Sequence, residues 1–248
     1  MTSILDRYPK QRPPLPEGHR KIYEQHYVAN RAAAYRTTTV SSRLEAWMHR
    51  RVAADARDGN PGSTLEIGAG TLNHLHHEPL TAPYDVVEPF ARLLAGAAAR
   101  HRVRHIYPSL DDVPDGHRYQ RVISIATFEH LVDLPAIIAG CGLLLADNGV
   151  LRVGIPNEGT VLWRLGTAVT GSEFRLQYGL DYQTLMRHEH VNTADEIEAV
   201  LRCCFRSVRT AVCGIHRRIA LYRFLECRQP DLAVATRVIA DRAERSAA

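Results

Sequence analysis

The chain has 248 residues, 45% apolar and 23% charged, with a formal net charge of +4, a length and composition suited to one large soluble globular domain with additions. It has no apolar run long enough to cross a bilayer, and Met1 to Arg20 carry charges and prolines in place of an apolar signal core. The positive residues are almost all arginines scattered along the chain, not a clustered stripe, so a membrane or nucleic-acid partner is not expected and a cytoplasmic location is.

Residues 1–18 read as a flexible N-terminal arm, because Pro13, Pro14 and Pro16 rule out continuous helix. From His19 to about Ala56 the apolar and aromatic residues Ile22, Tyr23, Tyr27, Leu44, Trp47, Met48 and Val52 recur at helical spacing, which predicts two helices. Asn60-Pro61-Gly62 ends that segment. Strand-like runs follow at Thr64–Ile67, Tyr84–Val87, Val103–Tyr107, Val122–Ile125 and Val150–Ile155, with helix-like stretches at Phe90–His101 and Leu134–Leu145. Such alternation means right-handed crossovers and a mostly parallel sheet, whose ligands sit at the carboxyl ends of the strands.

Residues 157–192 break the alternation and read as an insertion over the strand ends, carrying Trp163, Phe174, Tyr178 and Tyr182. It is either an acceptor pocket or a cap buried for its own sake. A helix-like Thr193–Cys203 then leads to strand-like Val208–Cys213 and Ile219–Cys227, joined by a link around Gly214-Ile215-His216 that is too short for a parallel crossover. The expected fold is therefore α/β: a Rossmann-like, doubly wound, mostly parallel sheet of seven strands with an antiparallel C-terminal hairpin strand. The domain spans 19–228, and 229–248 form a tail or helix. The five cysteines show no CxxC spacing and read as buried thiols of a reducing compartment.

Thr64-Leu65-Glu66-Ile67-Gly68-Ala69-Gly70-Thr71-Leu72-Asn73 is a strand running into a glycine turn, and Glu88 follows at the end of the next strand. Glycines permit a tight turn and close backbone approach, and a carboxylate at that distance suits a ribose diol. His74, His76 and His77 follow the turn on what should be the first helix; with no carboxylate pair or HExxH pattern they read as a partly exposed helix face, and no metal is expected.

Taken together these segments resemble class I S-adenosylmethionine-dependent methyltransferases, over roughly Ser63 to Arg228. Leu65-Glu66-Ile67-Gly68-Ala69-Gly70-Thr71 looks like the first motif of that family and Val87-Glu88-Pro89 like its acidic second motif. Ile123-Ser124-Ile125-Ala126-Thr127-Phe128-Glu129-His130-Leu131 is similar to the fourth-strand motif, and Leu144 to Leu151 to the turn and strand that follow. Within the family the chain is most similar to bacterial methyltransferases of the type-11 kind. Leu72 stands where the family often has a third glycine, and Gln120 where it often has an aspartate.

The resemblance implies S-adenosyl-L-methionine as cofactor and a small-molecule or glycan acceptor, such as a secondary-metabolite intermediate. It implies that Glu66, Gly68, Ala69 and Gly70 hold the methionine end, that Glu88 accepts from the ribose hydroxyls, and that Ala126 and Thr127 line the floor under the sulfonium. Leu110 and Asp111, near the end of the third strand, are the expected adenine contacts. His188 and His190, flanking Glu189, are candidate bases, although the segment also reads as a polar cap before the Thr193-x-x-Glu196 capping box. His130 faces the acceptor or is a structural histidine. Two other readings stand beside this one: an NAD-dependent oxidoreductase, whose third glycine would fall at Asn73, and a binding module that kept the pocket without the chemistry.

Overall fold

A computed structural model describes residues 3–23, 39–57, 62–79, 82–158, 160 and 171–247. Its strands are β1 (Thr64–Ile67), β2 (Tyr84–Val87), β3 (Ile106–Tyr107), β4 (Tyr119–Ile125), β5 (Leu145–Pro156), β6 (Phe205–Cys213) and β7 (Tyr222–Pro230). They form one seven-stranded sheet in the order β3-β2-β1-β4-β5-β7-β6. The pairs among β1 to β5 are parallel, and β7 runs antiparallel to both β5 and β6. The expected doubly wound sheet with a reversed hairpin strand is therefore present.

The helices are α1 (Thr39–Val52), α2 (Ala54–Arg57), α3 (Ala91–Ala95), α4 (Leu134–Leu144), α5 (Tyr182–Glu189), α6 (Ala194–Cys204) and α7 (Leu232–Ala247), with residues 17–23 and 171–178 also helical. Two apolar clusters cover the faces of the sheet, as strand alternation demands. On one face Leu65, Val122, Leu151, Val153 and Leu225 pack with Ile138 of α4 and Ile197 and Leu201 of α6. On the other, Ile123, Ile125 and Phe224 pack with Met48 and Val52 of α1 and with Leu72 and Leu75. Gly154 lets α1 come close, since a Cβ there would lie 2.4 Å from the Met48 side chain. That approach carries Glu45 and His49 to the strand ends.

Several local expectations change. The helix expected after the glycine turn is a single 3-10 turn, Asn73–His76, which Leu72 enters in the left-handed region. Phe90–His101 is not one helix: α3 stops at Gly96 and a 3-10 turn, Arg100–Arg102, follows. β5 starts early, at Leu145, with the turn-like Asp147-Asn148-Gly149 bulging inside the strand and Asn148 at φ 60°. The last segment is the helix α7, packed on α4 through Ala136, Ala139, Ala235 and Val238.

Residues 3–16, expected as part of a flexible arm, are docked. Tyr8 is buried and its hydroxyl donates to Asn192 Oδ1 at 3.0 Å, while Lys10 Nζ donates to the Val191 carbonyl at 2.8 Å and pairs with Glu196 at 2.9 Å. Cys141, Cys204 and Cys227 are buried thiols as expected, but Cys203 is exposed and Cys213 half-buried. No helix among the described residues is long and apolar enough to cross a membrane.

Candidate functional site

β1 and β4 are neighbours, with Ile67 opposite Ser124, so the turns that leave them meet at the place where the strand order reverses. Gly68 and Gly70 take φ values of 72° and 54°, a region that favours glycine. A Cβ on Gly68 would lie 2.4 Å from the Thr127 side chain, whose hydroxyl donates to the Gly68 carbonyl at 3.3 Å. Leu72 also adopts a left-handed conformation, φ 64°, with its side chain fully buried. The position where the related motif often has glycine thus keeps a glycine-like backbone, offset here by apolar burial.

Glu88, 2% exposed, directly follows β2 and turns back to this loop. Its Oε2 accepts the Gly70 amide at 2.7 Å and its Oε1 accepts the Phe90 amide at 3.0 Å. Each carboxylate oxygen has a second acceptor site left. Glu66 is equally buried, with Oε2 accepting the Tyr84 hydroxyl at 2.8 Å. Burial raises its pKa to about 8, against the opposing hydrogen bond from Tyr84.

Two adjoining cavities open at the strand ends, sharing Gly68 and His130. The larger, about 480 Å³, is bounded by Glu88, Phe90, Pro108, Thr127, Leu131 and Ile137, with Arg12 and Tyr23 on its outer side. The smaller, about 340 Å³, is bounded by Glu66, Gly68, Ala69, Gly70 and Ala126, and by Glu45, His49, Glu129, His190 and Tyr222 on its far wall. Both volumes are in the range of small-molecule sites. Burial lifts Glu45 above its ordinary range and, with Glu45, Cys213 and Glu129 nearby, raises Tyr222 to about 12.

The loop after β4 is fixed by the segment 189–192. The amides of Val191 and Asn192 donate to the Glu129 carbonyl, and the Asn192 side chain donates to the carbonyls of Phe128 and Leu131. His130 Nδ1 lies 3.0 Å from the Glu189 carbonyl, and its ring meets His190 edge-on at 4.7 Å. His190 Nδ1 is against the Glu158 carboxylate; burial, then the charges of His130 and Arg12, lower His190 to about 3. Arg12 ties the docked N-terminal segment to this loop by donating to the carbonyls of His130, His188 and Glu189.

Of the residues singled out from sequence, Glu66, Gly68, Ala69, Gly70, Glu88, Ala126, Thr127, His130 and His190 come together around the two cavities. Three do not. Leu110 packs against Gly140 of α4 and belongs to the core, and Asp111 is exposed and paired with Arg242 of α7 at 2.9 and 3.0 Å. Ser109 and Asp112 cap that turn. His188 lies outside both cavities, with Nδ1 2.7 Å from the Pro13 carbonyl and its ring edge-on to Tyr23. Tyr23 borders the larger cavity; Tyr27 and Trp163 lie outside the described residues.

Sequence reasoning missed Arg12, Glu45, His49 and Tyr222. The first sits in what reads as an arm, and the others reach the site only because α1 and β7 cross the strand ends, which no local pattern signals. His74 reads from sequence as part of a partly exposed helix face but is 1% exposed, bridging His49 and Glu78. Among the described residues no three histidine, cysteine or acidic side chains are placed to hold a metal ion.

No protein-family model matches the sequence, and no curated protein matches it. Solved structures do. The N-methyltransferase NodS from Bradyrhizobium japonicum WM9, in complex with S-adenosyl-L-homocysteine, superposes with a TM-score of 0.57 at 14% identity, over 87% of this chain and 100% of its own. The DhpI–SAM–HEP complex gives 0.53 at 17% identity, over 87% and 100%. The CurJ carbon methyltransferase gives 0.57 at 16% identity, over 86% of this chain and 61% of its own. The chain therefore has the Rossmann-like fold found in these methyltransferases.

Proposed function

We propose that this chain is an S-adenosylmethionine-dependent methyltransferase acting on a small-molecule acceptor, with glycan and secondary-metabolite intermediates as the acceptor classes in view and the cytoplasm as its place of action. The observation that carries the reading is Glu88: a buried carboxylate held on the Gly70 amide at the switch in strand order, bordering one of two cavities that share Gly68. A dinucleotide would instead call for a helix N-terminus behind the turn to meet its pyrophosphate. Here the turn runs into four residues of 3-10 helix.

The donor supplies an electrophilic methyl group on a sulfonium. Glu88 accepts hydrogen bonds from the ribose hydroxyls at its remaining lone pairs, while Pro108, Phe90, Leu131 and Ile137 enclose the base in the larger cavity. Gly68, Ala69 and Gly70 admit the amino-acid end against the backbone, next to Glu66, and Ala126 and Thr127 form the floor at the end of β4. His130, at the junction of both cavities, and His190 beside it flank the line along which an acceptor approaches. Burial lowers the His190 pKa to about 3, so its ring carries no charge at neutral pH. Holding the acceptor in line is the main catalytic task.

Calorimetry with S-adenosylmethionine tests the reading. Glu88→Ala removes two charge-assisted hydrogen bonds of about 1.5 kcal/mol each, so its Kd should rise about a hundredfold. No binding to the wild type, or undiminished binding to the variant, overturns it.

A further inference from the structure

We propose that the methyl acceptor is an amine, and that His49 holds it as a hydrogen-bond acceptor in the smaller cavity. The inference rests on the methyltransferase reading for the reaction, but its evidence lies in a chain of side chains that the reading does not use. His49 is 9% exposed and borders the cavity. Its Nδ1 lies 3.0 Å from Nδ1 of His74, and His74 Nε2 lies 2.8 Å from Glu78 Oε1. Glu78 in turn accepts from both Nη atoms of Arg121, at 2.9 and 3.1 Å, and Arg121 also pairs with Asp55 at 3.0 Å.

This order of contacts sets the protons. Glu78, clamped by a guanidinium, is ionised and accepts only, so His74 must carry its proton on Nε2. Burial keeps His74 neutral, which leaves its Nδ1 as a lone pair. His49 must then donate from Nδ1. Its Nε2 is then a lone pair, which the proposal places toward the cavity that His49 borders, and burial together with His74 and His77 keeps the ring uncharged. His77, stacked on His49 at 5.1 Å with an interplanar angle of 8°, holds the ring in place. Such a wall accepts an N–H or O–H and repels an anionic oxygen.

The rest of the cavity selects between those donors. Glu45 and Glu129 border the cavity, and among the described residues no lysine or arginine does, whereas Arg12 and Arg92 border the larger one. An ammonium is drawn in on arrival and a carboxylate or phosphate is excluded. For transfer, the ammonium gives one proton to a wall carboxylate and becomes a neutral amine hydrogen-bonded to His49 Nε2. Its lone pair forms the N–C bond as the S–C bond breaks with its electron pair left on sulfur. The N-methylammonium product leaves, and the wall proton passes to solvent.

The test uses the full chain with nitrogen-15 in its histidines, loaded with S-adenosylhomocysteine, and three probes on one skeleton: phenethylamine, phenethyl alcohol and phenylpropionic acid. We expect the Nδ1–H tautomer at His49, the Nε2–H tautomer at His74, and a shift of the His49 Nε2 signal with the amine alone. Labelled methyl from S-adenosylmethionine should enter the amine at least about tenfold faster than the alcohol, a difference typical of losing a charged hydrogen bond. His49→Phe should abolish the amine preference while calorimetry shows S-adenosylhomocysteine still bound. An Nε2–H tautomer at His49, a wild-type signal unmoved by the amine, or faster transfer to the alcohol or acid overturns the proposal. Failure of S-adenosylhomocysteine to bind overturns the methyltransferase reading, and the tautomers remain measurable without it.

Discussion

Glu78 and Glu66 are both buried carboxylates, 8% and 3% exposed, and the protein treats them in opposite ways. Glu78 lies in the polar layer under α1, where burial works against its charge but His74 and Arg121 outweigh it, and its pKa falls to about 2. Around it Arg121 and Arg152 meet Asp55 and Glu226, so each buried charge has an opposite neighbour. Glu66, at the mouth of the glycine turn, has the Tyr84 hydroxyl and then the cavity, and burial lifts it to about 8. Buried charge with a complete set of partners holds the fold, whereas a buried acid that faces an open volume is kept for a ligand.

The strongest way to break this comparison is at Glu78. Glu78→Gln leaves the almost fully buried Arg121 with Asp55 as its one carboxylate among the described residues and should lower unfolding free energy by about 3–5 kcal/mol, a Tm drop of roughly 10 °C. Thermal unfolding reads it directly. An unchanged Tm would mean that the network under α1 is incidental.

The second prediction concerns the sign of pH dependence. Glu66 has a folded pKa of about 8 against an ordinary value of 4.5, so the folded state binds more protons between those limits and stability is lost as pH rises through them. Glu78, with a folded pKa of about 2, contributes stability that is full above 4.5 and is lost as pH falls towards 2. Relative to wild type, Glu66→Gln should therefore gain in Tm from pH 4.5 to 8, while the deficit of Glu78→Gln should shrink below pH 4.5. Parallel pH profiles for the two variants would remove the distinction drawn between them.

How much of this was legible in the sequence follows the same division. β1 and β2 coincide with their predicted runs because each is a fully buried four-residue segment next to a turn, and the reversed β7 follows from a link too short for a crossover. The glycine turn and Glu88 were legible because backbone conformation and chain direction bring them together locally. The far wall was not. His49 reads as one more polar residue of an amphipathic helix until Gly154 lets α1 settle on β5, and Arg12 reads as part of an arm until Tyr8 finds Asn192. His74 looks like a partly exposed helix residue because the sequence does not disclose that the first helix shrinks to a 3-10 turn.

The smallest expected effect sharpens the boundary of the site. Asp111 was the sequence-based choice for the exocyclic amine of adenine, yet its carboxylate lies against the Arg242 guanidinium on the outside of the molecule, 64% exposed by side chain. A pair that open to water contributes about 0–1 kcal/mol, because solvent and salt screen it and two long side chains lose freedom to form it. Asp111→Asn should therefore change Tm little and leave the affinity for S-adenosylmethionine where it was. Leu131→Ala, which strips an apolar wall from the larger cavity, should weaken binding several-fold through lost burial of the base, with roughly 1 kcal/mol at stake. If calorimetry instead shows the larger loss at Asp111, then Arg242 releases it when the donor binds, and the base lies nearer the end of β3 than the cavity walls imply.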